Sequence, residues 1–248
     1  MNLIRNTKDE NLRRDAFDVL KTLIIEIKEH IARYSTSLFS LINDFIASDI
    51  YINDKVAISK SRLNSSTLKV SSLNEIMDII DTLNSYAPAY VKEYIYFLVP
   101  KILQVIEKTK KHHPKIGIKC IMFLLHVQNN LLDDYLYLIV PEMIGICTKR
   151  DNNMKEAAIS LLKNIIRCKH FEEYIVQIIH SFVKILDETS DKMYIVQFLL
   201  HLGANAGKIF SPFLLLVLSS FKKNKILEED YETQMQNIAY SNSSKSFR

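Results

Sequence analysis

The sequence predicts an all-α protein, a superhelix of stacked antiparallel helix pairs, on three observations. Apolar residues recur with a helical period along most of the chain. In 154–166, Met154, Ala157, Ala158, Leu161, Leu162, Ile165 and Ile166 follow the i, i+3, i+4, i+7 template without a miss. Only four glycines occur in 248 residues, too few for the tight hairpins of a sheet protein. Finally, one phrase repeats. "DDYLYLIVPEMIGIC" at 133–147 echoes "KEYIYFLVPKILQVI" at 92–106, with Tyr94 and Pro100 standing where Tyr135 and Pro141 stand. "EEYIVQIIHSFVKIL" at 172–186 keeps Tyr174 and the apolar spacing but has His180 in place of the proline, and "GKIFSPFLLLVL" places Pro212 in a looser copy of the frame.

The elements follow in order. Helices are predicted near 10–28, 30–47, 70–86, 89–108, 115–128, 131–148, 153–168, 171–187, 191–205, 208–223 and 226–239. Polar stretches such as "TKRDNN" and "ETSDK" have the length that joins antiparallel helices. Asn153 with Glu156, and Ser72 with Glu75, are spaced as capping boxes, and Pro114 suits a first helical turn. Taken in pairs, the helices give a unit of about 40 residues, the size of a HEAT repeat. The recurrent proline falls within the first helix of a pair. An interior proline costs roughly 3 kcal/mol in a straight helix, so its return at one register predicts a bend that the packing uses. Residues 48–69 lack a helical stripe and are expected to form an inserted surface loop. Residues 1–239 are expected to form one solenoid, with 240–248 a disordered tail.

Composition narrows the function classes. Hydrophobic residues make up 48% of the chain, as in a globular protein, and a formal charge of +4 is too small to call for nucleic acid. Cys120, Cys147 and Cys168 are widely spaced within apolar helical patterns, the usage expected of packed thiols in a reducing compartment. The start carries no apolar signal segment, and the longest apolar run, "FLLLVL", is far short of the ~20 residues a bilayer span needs. A cytoplasmic protein without a transmembrane segment is expected.

Catalytic and cofactor motifs are missing. Gly117, Gly145, Gly203 and Gly207 are isolated and build no phosphate-binding loop. Cys168 and His170 are the nearest approach to a metal pair, and nothing joins them. His126, His180 and His201 lie on or beside apolar faces, as packing histidines do. Asp133 and Asp134 precede an apolar helix, where carboxylates suit the positive end of its dipole. No catalytic residue, cofactor or metal is therefore predicted.

The one charge cluster is "KTKKHHPKIGIK" at 108–119. Its lysines Lys108, Lys110, Lys111, Lys115 and Lys119 occupy a predicted turn between helices. Two readings stay open: a solvated turn, or a surface for an anionic partner such as an acidic protein, a phosphoinositide or RNA. No exposed aromatic ladder accompanies the lysines, which argues against single-stranded nucleic acid.

The order of the phrases "EIMDIIDTLNSYAPAYVKEYIYFLVPKIL", "NLLDDYLYLIVPEMIGIC", "KEAAISLLKNIIRCKHFEEYIVQIIHSFVKILD" and "GKIFSPFLLLVL" resembles consecutive repeats in the central HEAT solenoid of the TOR kinases. These, the targets of rapamycin, are large serine/threonine protein kinases of the phosphatidylinositol-kinase-related family. The likeness covers roughly 10–225, with 48–69 as an insertion. It implies a scaffold segment alone, since nothing matches the kinase domain or the rapamycin-binding segment of that family. Protein partners are implied: a regulatory subunit that recruits substrates, a small GTPase, and an endomembrane reached through the complex. An independent HEAT adaptor in phosphatase, transport or chromatin assembly is the alternative.

Overall fold

The computed structural model describes residues 4, 9–56, 63–149, 151–189, 192–226, 233 and 237, with the side chains of 47–71 outside that description. Among the described residues every regular element is a helix. The chain divides into two compact units, Met1–Val127 and Gln128–Arg248.

The first unit opens with α1, Glu10–Ile27. Asp9 caps it, its carboxylate accepting the Asn11 and Leu12 N–H groups at 2.9 and 3.3 Å. A 3₁₀ turn, Lys28–Tyr34, leads into α2, Ser35–Val56. Then follow α3, Leu63–Tyr86, α4, Pro88–Thr109, and α5, Pro114–His126. Pro88 and Pro114 both stand at helix starts, where a missing N–H costs nothing. Helix α3 packs on α1, α2, α4 and α5, while α2 packs on α4 and α4 on α5. Helices α1, α3 and α5 thus share one layer, and α2 and α4 the other.

The second unit repeats the plan. A short helix α6, Asn129–Leu132, and a 3₁₀ turn, Asp133–Tyr135, precede α7, Leu136–Cys147. Helix α8 spans Asn152–Ile165, and a second 3₁₀ turn, Phe171–Tyr174, precedes α9, Ile175–Glu188. Helix α10 spans Met193–Ala206, and Ser211–Phe213 turns into α11, Leu214–Lys223. Here α7, α9 and α11 form one layer and α8 and α10 the other: α7 packs on α8 and α9, α8 on α10, and α9 on α10 and α11. Such local contacts define a solenoid repeat.

The repeated phrase dictates the core. Within the phrase, the buried positions in α4 are Ile95, Leu98, Val99, Ile102, Leu103, Val105 and Ile106; in α7 they are Leu136, Ile139, Val140, Met143, Ile144, Ile146 and Cys147. Each of the second set lies 41 residues after its counterpart in the first. Burying one such side chain stabilises the fold by about 1.5–3 kcal/mol. Pro100 and Pro141 lie inside their helices on the exposed side, each removing one backbone donor from its helix.

The structure corrects several expectations. The stretch 48–69 is not a loop throughout: α2 runs to Val56 and α3 starts at Leu63, leaving only 57–62 outside the described residues. Its serines, asparagines and threonine are weak helix formers, but the stretch contains no glycine or proline to stop a helix. Ser72 is consequently not a cap. It lies inside α3, buried, accepting a hydrogen bond from the Arg13 guanidinium at 3.3 Å. The cap of α8 is Asp151, which accepts the Met154 N–H at 2.8 Å, rather than Asn153. Pro212 stands in the opening turn before α11 and not within the helix; counting from the first helical residue, Ser219 occupies the place of Pro141 and His180. The helix expected at 226–239 and the tail at 240–248 fall almost wholly outside the described residues.

Candidate interaction surfaces

The basic turn belongs to the first unit. Helix α4 ends as the Thr109 hydroxyl donates to the Val105 carbonyl at 2.7 Å and the Thr109 carbonyl accepts the His112 and His113 N–H groups at 3.1 and 2.8 Å. The chain thereby reverses within a few residues, and Pro114 starts α5. No side chain caps α5, and its first turn holds no carboxylate. The structure brings the five lysines into one region but does not leave them equivalent. Lys119 reaches across to α3 and pairs with Asp78 at 2.6 Å. Lys110 pairs with Glu107 one turn back, and Lys108 is half-buried. Lys111 and Lys115 are exposed, with His112 beside them.

Lys119 belongs to a row of charge that fastens the layer. Lys21 of α1 meets Glu75 of α3 at 3.5 Å, Lys119 of α5 meets Asp78, and His126 of α5 meets Asp81 at 3.2 Å. The acids of α3 lie three residues apart, on one helix face between two basic neighbours. These pairs are partly exposed, so each contributes at most about 1 kcal/mol. Their role is to set the register of α1 and α5 against α3.

The second unit uses its polar groups in the same way. Asp133 accepts the Lys169 N–H at 2.7 Å, and Asn129 donates to the Asn164 carbonyl at 3.2 Å, tying the start of α7 to the end of α8. Asp133 thus caps a neighbouring turn, a more specific task than the helix-dipole role expected of it. Asp187, Asn224, Lys192 and Lys223 form a further network, with Asn224 and Lys223 each donating to Asp187 at 2.6 Å. Lys223 and Asn224 hold the Asp187 carboxyl below its usual range.

The three thiols are free and buried. Burial pushes Cys120 up strongly and raises Cys147 to about 12. Cys168, also at about 12, is raised by burial and by the charge of Asp133. His126 and His180 are exposed rather than packed, His180 lying edge-on to Phe213 at 6.1 Å. His201 is half-buried, and desolvation, with Lys163 and Arg167 nearby, lowers its pKa. Among the described residues no group of three metal-ligating side chains gathers, and no helix is long and apolar enough to cross a membrane.

Sequence reasoning missed a second surface. Tyr137, Val176 and Leu215 are exposed, each the second residue of its helix, in α7, α9 and α11. Periodicity hides such residues, because an apolar side chain beside a core stripe is counted with the core. Aligning the repeats by their first helical residue exposes the pattern.

No protein-family model matches the chain. It is 23% identical over 242 residues, 96% of its length, to the serine/threonine-protein kinase mTor of Drosophila melanogaster. It is 22% identical over 231 residues (91%) to the serine/threonine-protein kinase TOR of Arabidopsis thaliana, and 18% identical over 190 residues (77%) to TOR of Oryza sativa subsp. japonica. The chain spans only 9%, 9% and 7% of those relatives, so the likeness is to a segment of a TOR kinase. That segment holds no kinase domain; the described residues are helical where a kinase would need strands. Among solved structures, the chain is similar to one in the structure describing Kap95p binding to RanGDP, with a TM-score of 0.64 and 16% identity over 97% of this chain and 30% of that one. The fold is that of a helical-repeat solenoid.

Proposed function

We propose that the chain is a non-catalytic scaffold segment of the TOR-kinase type, acting in TOR signalling by docking a regulatory subunit. The observation that carries this reading is the match to TOR kinases over up to 96% of the chain, in a region that folds as helical repeats. A stack of helix pairs presents ridges and grooves suited to extended protein partners and offers no closed phosphate site. In this reading the chain works in the cytoplasm, with a small GTPase as a further partner. The basic turn serves as its surface for an anionic partner, through Lys111 and Lys115 foremost, with Lys108, Lys110 and Lys119 behind them. Absence of an aromatic ladder disfavours nucleic acid there.

Titration calorimetry of the purified chain with magnesium and ATP tests the non-catalytic part. No binding and no hydrolysis are expected. Stoichiometric, magnesium-dependent nucleotide binding would overturn the reading.

A further inference from the structure

Where α8 and α10 lie side by side, their outer face gathers basic groups. Lys163 stands half-buried in the last turn of α8. Arg167 is exposed in the turn that closes the helix, its N–H donating to the Asn164 carbonyl at 3.3 Å. The two are four residues apart, about one helical turn. Helix α10 packs on α8 and brings His201, half-buried, near enough that both cations act on its ring. A lysine at a helix C-terminus complements the dipole, which accounts for Lys163. It does not account for a histidine beside two cations, where an uncharged side chain would pack without repulsion.

The elements packed on α10 supply no counter-charge to this patch. Besides Lys163, α8 carries only Lys155 and Glu156, both near its start, and Lys155 sits over the Tyr194 ring at 5.5 Å. The acids of α9, Asp187 and Glu188, stand with Lys184 at the end from which the chain enters α10, whereas His201 is in the second half of α10. His180 of α9 is exposed against Phe213. The turn Gly207–Ile209 after α10 adds Lys208, an exposed cation. Glu172 and Glu173 belong to the turn before α9, in the other layer, where Glu173 pairs with His170 at 3.1 Å and Lys169 is exposed nearby. Among the described residues no ion pair holds Lys163 or Arg167, and no carboxylate is among the charges acting on His201.

Basic groups spread over two helices call for an anion with several separate charges. Neighbouring helices pack about 8–10 Å apart, a span that an extended chain covers in about three residues. The ends of α8 and α10 present backbone carbonyls here, not the N–H groups that cradle a phosphate at a helix N-terminus. Neither helix carries an exposed aromatic ring on which a base would stack. We propose that this face binds an acidic segment of a partner protein, whose carboxylates meet Lys163, Arg167 and His201 across the two helices. Desolvation and the two cations hold the His201 pKa below its ordinary value. A bound carboxylate opposes both, so the ring takes up a proton as the segment docks, and binding tightens as pH falls. The proposal rests on the scaffold reading and names one of its docking sites.

The test uses the full chain and a peptide of eight aspartates. NMR follows the His201 ring resonance, assigned by its loss in His201→Gln. The peptide should raise the His201 pKa by about one unit, which corresponds to about tenfold tighter binding at pH 5.5 than at pH 7.5. Lys163→Gln with Arg167→Gln should abolish the response to peptide while moving the free His201 pKa up toward its ordinary value, a sign that the fold is intact. His201→Gln should remove this site's pH dependence and leave binding at pH 7.5 within about twofold, since the ring is neutral there. Lys111→Glu with Lys115→Glu should leave the His201 response unchanged. A His201 resonance that saturating peptide does not move, or that moves equally in the Lys163 and Arg167 variant, would overturn the proposal. So would an equal response to inorganic phosphate or to phosphatidylserine vesicles. Glu228, Glu229, Asp230 and Glu232 lie outside the described residues. If the peptide moves His201 only after these four acids are changed to amides, the chain's own segment fills the face and the proposal falls. If the peptide leaves His201 unmoved while the chain still captures a TOR-complex regulatory subunit, this site falls and the scaffold reading stands.

Discussion

Helices α4 and α7 are built from the same phrase, yet one is continuous and the other is not. Seven buried positions match one for one at a spacing of 41 residues, and the proline is exposed in both. In α4 the chain runs as one helix from Pro88 to Thr109; in α7 a 3₁₀ turn at Asp133–Tyr135 intervenes before the helix starts. At the start of the phrase Lys92 stands in place of Asp133, a reversal of charge. Lys92 is exposed, whereas Asp133 accepts the Lys169 N–H. The core stripe thus sets the helix and its face, and the tertiary hydrogen bond of Asp133 accompanies the change in how the helix begins. The third copy supports the division: α9 follows a 3₁₀ turn as well, and its Ile175, Ile178, Ile179, Phe182, Ile185 and Leu186 repeat the buried set.

The strongest test of the matched cores is Ile102→Ala in α4 against Met143→Ala in α7. Both side chains are fully buried at the same place in the phrase, so each change should cost about 2–5 kcal/mol in urea unfolding. A large loss in one and none in the other would break the equivalence. The prolines come next. Pro100→Ala and Pro141→Ala restore a backbone donor on an exposed face, and each should stabilise its helix by up to about 2 kcal/mol, short of the full interior penalty of roughly 3. Loss of stability instead would show that the packing depends on a bend.

The difference between the two helices should yield to Asp133→Ala, which leaves the Lys169 N–H without its acceptor. About 1–2 kcal/mol is expected, with faster amide exchange at Lys169, while Lys92→Ala should stay within about 0.5 kcal/mol. A smaller effect concerns His201. Its folded pKa lies below its ordinary value of 6.5 because of desolvation and of Lys163 and Arg167. The unfolded chain therefore binds the proton more readily. Stability is full above about pH 6.5 and declines as pH falls through the lowered pKa. His201→Gln should flatten that decline in urea titrations between pH 7.5 and 5.5.

The comparison also shows what a single sequence reveals. Helices and core positions were legible because burial repeats with the helical period, and the recurrence of Tyr94 and Tyr135 announced the repeat. The cap by Asp133 was not, because its partner is 36 residues away in sequence and no local rule brings them together. The extent of α2 and α3 was misread where weak helix formers obscured the absence of breakers. Pro212 misled because the looser copy was aligned on its proline rather than on its first buried turn. Of the basic cluster, the turn was legible from Pro114 and the lysine density. The commitment of Lys119 to Asp78 depends on α3 lying beside α5. The exposed row of Tyr137, Val176 and Leu215 was hidden by its resemblance to core.

In the function proposed above, the chain works by holding a protein partner and performs no chemistry. Light scattering after size exclusion, on the purified chain mixed with a recombinant TOR-complex regulatory subunit, tests it most directly. A discrete complex of defined stoichiometry is expected, weakened by substitutions on exposed faces and indifferent to nucleotide. Elution of the two proteins at their separate masses across all concentrations tried would contradict it.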